Sequence, residues 1–312
     1  MISKLQMEKL QTIYAQAHTM TSKGKAASYI PALAEADSTA FSVSMISMDD
    51  TIELGNCSET FTLQSVVKVL SFMVATHHHG IEEIMRYVDV EPTGDSFNSI
   101  VRLESNKNKP FNPMINAGAI TIASLLPGQT MFEKVKSVTS FLEEILNKQV
   151  TINNEVYLSE YHSADYNRAI AYILQANGFL KSDVEVALQV YLQLCSISVN
   201  TSDLAKIALY LATNGHNSEA KCSKKIINFA KALMMTCGLY NFSGKFAAFV
   251  GLPAKSGVSG AIIAVVKDGE IEHLKGPIGI GLFGPAIDDV GNSVAGIDFL
   301  EKLSKEYDLF CL

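Results

Sequence analysis

The sequence predicts an α+β fold in which an antiparallel sheet, built from both ends of the chain, carries flanking helices and an inserted all-helical subdomain. Strand-like alternation occurs near the two ends, helical patterns divided by short Gly, Asn, Ser and Thr breaks fill the interval from Asn112 to about Gly238, and the chain is large enough to bury a full core. A single domain over residues 1–312 is expected, with a sheet subdomain of about 1–60 and 239–312 and a helical subdomain of about 61–238.

In chain order, "MISKLQMEKLQTIYAQAH" is amphipathic and reads as a structural helix; it lacks the apolar core and small-residue cleavage site of a signal peptide. "FSVSMISMDDTIEL" alternates from Phe41 to Met45 and turns at Asp49-Asp50, a hairpin. "NTSDLAKIALYLATNG" is a helix with Thr201 or Ser202 as cap and an apolar stripe of Leu204, Ile207, Ala208 and Leu211. "VSGAIIAVVKDGEIEHLKG" reads as two strands turning at Asp268-Gly269, and "IGIGLF" as a further extended segment. A last helical pattern runs from Asn292 to Glu306.

Composition narrows the function. A formal charge of −7, with 48% apolar and 18% charged residues, gives a globular protein with no basic face for nucleic acid or an anionic membrane. "KCSKK" reads as the solvated start of a helix. The five scattered cysteines form no C-x-x-C pair and read as reduced thiols, and no apolar run reaches the ~18 residues of a membrane span. A cytoplasmic protein is expected. "GIGLFG" fits a dinucleotide-binding expression but runs into Pro285 without opening a helix. His77, His78 and His79 point in different directions on a helix, so helix-end contacts are expected there rather than a metal.

The chemistry-bearing stretch is "FTLQSVVKVLSF", Phe61 to Phe72. S-x-x-K occurs three times, at Ser22/Lys25, Ser65/Lys68 and Ser218/Lys221, but only Ser65 opens an apolar helix. Residues i and i+3 share a helix face, so the Lys68 amine can reach the Ser65 hydroxyl. Apolar surroundings favour a neutral lysine, a competent base, and the helix N-terminus suits an oxyanion. Taken alone, the pair leaves two readings open: a serine nucleophile with its base, or a capping serine beside a snorkelling lysine. "LPAKSGVSG" adds a Lys-Ser-Gly at the entry of a strand, the partner of S-x-x-K in penicillin-binding acyl-transfer enzymes, where that strand supplies a second oxyanion donor.

With these motifs, "ASYIPALA", "EPTGDSFNS", "NPMINAGAI", "SEYHSADYNRAIAY", "LQLCSISVNTSDLA", "TCGLYNFSGKFA" and "GNSVAG" make the chain resemble the serine-dependent glutaminases, which share the β-lactamase/penicillin-binding fold. The resemblance spans about Lys25 to Gly296. It implies hydrolysis of L-glutamine to L-glutamate and ammonia through a serine-bound γ-glutamyl intermediate, without metal or organic cofactor. It implies Ser65 as nucleophile, Lys68 as base and Tyr240 as the tyrosine that shares proton transfer. It places the substrate on Tyr29, Ser65, Asn116, Glu160, Asn167, Tyr191, Tyr240 and the backbone of Val258. It implies a homodimer or homotetramer. Alone, these polar residues read equally as helix caps, core tyrosines and a surface acid. The alternative enzyme on the fold is a β-lactamase or penicillin-recognising hydrolase, which an S-D-N triplet would favour; here Ser202-Asp203 is followed by Leu204.

Overall fold

The structure is a computed structural model that describes residues 4–94, 106–216 and 218–311. The strands are β1 Ser42–Ile46, β2 Thr51–Leu54, β3 Phe61–Thr62, β4 Ser198–Val199, β5 Ala254–Ser256, β6 Ala261–Ile271 and β7 Leu274–Phe283. The helices flanking the sheet in sequence are α1 Lys4–Thr19 and α2 Pro31–Ala34 before β1, and α12 Ser243–Phe249 and α13 Val294–Glu306 near the other end. Between them run α3 Val67–His79, α4 Ile81–Tyr87, α5 Asn116–Leu125, α6 Met131–Leu146, α7 Asn154–His162, α8 Asp165–Ala176, α9 Val184–Cys195, α10 Thr201–Ala212 and α11 Lys224–Cys237.

Five strands form one antiparallel sheet in the order β2-β1-β7-β6-β5, so both chain ends contribute, as the alternation predicts. Period-two patterning divides its faces. Val43, Met45, Ile262, Ala264, Ile280 and Leu282 bury against α1 and α13. The opposite face meets α10, and there β7 presents Gly279 and Gly281. A Cβ at Gly279 would lie 2.1 Å from the Leu209 nitrogen, and one at Gly281 would lie 2.4 Å from the Ala205 nitrogen. "GIGLFG" is therefore a glycine-lined strand that admits a helix backbone at close range.

Two local expectations are corrected. The β6–β7 turn falls at Glu272-His273; Asp268 and Gly269 lie within β6, where Gly269 pairs with Gly276 after a register shift from Val266. A bulge absorbs the Asp-Gly dipeptide, so the strands run on beyond it. The α10 cap is Asn200, whose side chain accepts from the Asp203 N–H while Asp203 accepts from the Asn200 N–H. Thr201 is instead buried, its hydroxyl 2.7 Å from that of Ser42. Elsewhere the reading holds: β1 and β2 turn through Ser47–Asp50, Ser223 caps α11 just inside "KCSKK", and His77–His79 end α3, with the His79 ring 2.7 Å from the Leu125 carbonyl.

The sequence did not announce the ladder of β3 with β4, which ties the segment before Ser65 to the end of α9. Two residues a side are too few to show a period. Of "EPTGDSFNS", residues 95–99 lie outside the described residues.

Candidate active site

β3 delivers the chain into a single 3-10 turn, Gln64–Val66, that runs straight into α3. Gln64 holds a left-handed φ of 47°, a conformation that non-glycine residues adopt at a cost and that turns Ser65 to the head of the helix. The α3 stripe Val67, Val69, Leu70, Phe72 and Met73 is fully buried, so the helix cannot rotate without exposing core. The other two S-x-x-K pairs are local surface features: Ser22 donates to the Thr19 carbonyl, and Lys221 to the Ser218 carbonyl.

Lys68 is 1% exposed and does not snorkel. Its ammonium donates to Asn116 Oδ1 at 2.8 Å and to the Met114 carbonyl at 3.2 Å, and lies 5.6 Å from the Tyr191 ring centroid. Burial pulls its pKa down to about 8, opposed by Cys195 and Glu160. Asn116, first residue of α5, relays the contact: its Oδ1 also accepts from the Tyr191 hydroxyl at 3.2 Å, and its amide donates to Asn167 Oδ1 at 2.9 Å. It caps no helix here. Four helices, α3, α5, α8 and α9, thus meet through one polar chain.

Glu160, on α7, accepts from the Gln64 amide at 3.2 Å. Burial raises its carboxyl to about 7, against the Gln64 hydrogen bond and the Lys68 charge. Tyr29, Gln64, Ser65, Asn116, Glu160, Asn167, Tyr191 and Val258 line a single pocket, together with Ile30, Ser163 and Ala164. Tyr29 is 54% exposed at its edge, whereas Tyr191 is 6% exposed.

The sheet supplies the far wall. β5 carries Lys255 and Ser256 as an edge strand, and the turn after it docks on the Ser65 segment: Ser259 donates to the Thr62 carbonyl at 2.7 Å, and a Cβ on Gly257 would lie 2.8 Å from the Leu63 carbonyl oxygen. Only glycine allows that approach, which brings Val258 to the pocket. Tyr240 sits left-handed at φ 55°, donates to the Ser256 carbonyl at 3.4 Å and is hydrogen-bonded with Ser65. Burial raises its phenol, with those hydrogen bonds opposing.

Of the site residues that the resemblance implies, Tyr29, Ser65, Asn116, Glu160, Asn167, Tyr191 and Val258 line the pocket, and Lys68 and Tyr240 adjoin it through Asn116 and Ser65. Gln64 was missed, although its place beside Ser65 signalled it. Lys255 was quoted with its motif but given no partner; it bonds the Gly238 and Ser256 carbonyls. Among the described residues, no hydrogen bond joins Lys68 Nζ to Ser65 Oγ, no group of His, Cys, Asp and Glu could hold a metal, and no helix is long and apolar enough to cross a membrane. The cysteines are unpaired.

The antiparallel sheet with its helical layer, and the S-x-x-K helix facing a Lys-Ser-Gly strand, define a β-lactamase-like enzyme fold. The family model described as glutaminase matches residues 24–311, and the chain belongs to the glutaminase family. It is 51% identical to Glutaminase 2 of Bacillus anthracis over 302 residues, covering 95% of this chain and 93% of the relative. Glutaminase 1 of Bacillus subtilis is 47% identical, with 92% and 90% covered. A solved structure of a probable Bacillus subtilis glutaminase in complex with 6-diazo-5-oxo-L-norleucine superposes with a TM-score of 0.88 at 40% identity, covering 96% of this chain and 94% of that one.

Proposed function

We propose that this glutaminase hydrolyses L-glutamine to L-glutamate and ammonia through an ester on Ser65. The observation that carries the reading is a serine at the head of α3 that shares one pocket with the Glu160 carboxylate, with the fully buried Lys68 one helical turn behind the serine. Ser65 Oγ attacks the side-chain carbonyl carbon as its proton passes to Lys68, directly or through Tyr240. The amide N–H groups of Ser65 and Val258 face the oxyanion. The C–N bond then breaks, the nitrogen takes the proton and leaves as ammonia. Water attacks the ester carbonyl and gives its proton to the Lys68–Tyr240 pair; the bond to Ser65 Oγ then breaks, Oγ takes that proton, and glutamate is released. Glu160, ionised, holds the substrate ammonium, and the Asn116, Asn167, Tyr29 and Tyr191 donors hold the α-carboxylate.

The glutamine-like ligand of the Bacillus subtilis relative supports the substrate. The penicillin reading is disfavoured by the place of Ser202-Asp203: Asp203 is spent on the α10 cap and an ion pair with Lys148 at 2.6 Å. The reading includes a homodimer or homotetramer acting in the cytoplasm. Ammonia release from glutamine by the purified protein, with nitrocefin as the counter-substrate, tests it; nitrocefin turnover without ammonia release overturns it.

A further inference from the structure

Lys255 is the second fully buried lysine of this region and the reaction above gives it nothing to do. It is 0% exposed, does not line the pocket, and donates to the Gly238 carbonyl at 2.9 Å and the Ser256 carbonyl at 2.6 Å. Its nitrogen lies 4.6 Å from the centroid of the Tyr240 ring. Burying an amine this completely is costly, so it survives where its N–H groups do something specific.

The segment it grips is itself under constraint. Tyr240 is left-handed at φ 55°, a backbone state that a bulky residue holds only when its surroundings insist. Gly238 is seated so closely on β5 that a Cβ there would lie 1.8 Å from the Ala254 carbonyl oxygen. The Ser256 carbonyl accepts from both the Lys255 amine and the Tyr240 hydroxyl, and the Ser256 hydroxyl donates to Asn292 Oδ1 at 2.6 Å. One carbonyl is thus shared by the clamp and the clamped. The ring face, rich in electron density, takes the remaining side of the amine.

We propose that Lys255 is a positioning residue for Tyr240: its amine fastens the 238–240 turn to β5 and props the ring, so that the phenol is presented to Ser65. The inference rests on Tyr240 moving a proton in the reaction above. It departs from a Lys-Ser-Gly lysine that binds substrate, because the Lys255 side chain faces carbonyls and a ring behind the pocket wall. Burial and the Lys68 charge push the Lys255 pKa well down, while Cys195 and Cys237 oppose; the clamp works through N–H bonds in either protonation state.

A double-mutant cycle of Lys255→Met and Tyr240→Phe, read in kcat and KM for glutamine, tests it. Lys255→Met should lose about 10- to 100-fold in kcat with KM changed by less than about 3-fold, and should cost under about 3-fold more once Tyr240 is Phe. Losses that multiply across the two sites, or a loss carried by KM, overturn the role of Lys255 and leave that of Tyr240 standing. Full activity in Tyr240→Phe overturns both. Should Lys255→Met not fold, the cycle is run with Lys255→Gln, whose shorter side chain keeps an N–H donor: its smaller kcat loss should vanish once Tyr240 is Phe, and a loss that persists in the Tyr240→Phe background, or one carried by KM, overturns the role of Lys255.

Discussion

A serine hydroxyl attacks an amide only if its proton has somewhere to go, and at residue scale this enzyme answers with burial. Ser65→Ala should abolish turnover while leaving the fold and glutamine binding intact, measured by ammonia release and by calorimetric titration. Lys68→Met keeps the stem and removes the base; near-complete loss of kcat is expected, and wild-type kcat in that variant would return Lys68 to a structural role. The pH profile follows from two opposite shifts. Lys68 must be neutral and its pKa is lowered to about 8; Glu160 must be ionised and its pKa is raised to about 7. Falling pH therefore protonates both toward inactive forms, and kcat/KM should decline across the window from about 8 to 7, the lower inflection vanishing in Glu160→Gln. That variant should lose on the order of 2–4 kcal/mol in kcat/KM for glutamine, because it loses the charge facing the substrate ammonium in a desolvated pocket. A substrate amide lacking the amino group should show little further loss; equal losses on the two compounds would remove Glu160 from the ammonium subsite.

At the scale of elements, close approach of backbones positions the site. α10 lies directly on Gly279 and Gly281 of β7, so Gly279→Ala must push two backbones apart and should destabilise by about 1–3 kcal/mol in urea unfolding. Gly244, in α12, has nothing within 4 Å of a built Cβ and no left-handed φ; Gly244→Ala should stabilise by roughly 0.5–1 kcal/mol. A destabilised Gly244→Ala or a neutral Gly279→Ala would contradict the packing described. The same scale shows where local signals lose. Asp268-Gly269 has ideal hairpin chemistry, yet the strands continue to Glu272-His273, because Ile271 and Leu274 are fully buried in the core and pull the ladder past the bulge.

For the whole molecule, the pocket draws Ser65, Asn116, Glu160, Asn167 and Tyr191 from the helical part of the chain and Val258 from the sheet side. A ligand bridging them should resist separation of the layers: Ser65→Ala with glutamine at one hundred times its Kd should gain about 2.7 kcal/mol in unfolding free energy. No gain would place glutamine elsewhere. Which ends of the chain form strands, which middle segments form helices, and which of three S-x-x-K pairs opens an apolar helix were all legible in the sequence, since periodicity and capping are local properties. So was the family, because its motifs are ordered along the chain. The depth of Lys68, the Asn116 relay, the grip of Gln64 on Glu160 and the clamp of Lys255 on the Tyr240 turn were decided only by the tertiary structure. Each depends on how far a side chain lies from water and on what a distant segment brings within 3 Å or so of it, and burial and long-range contact leave no period in the sequence.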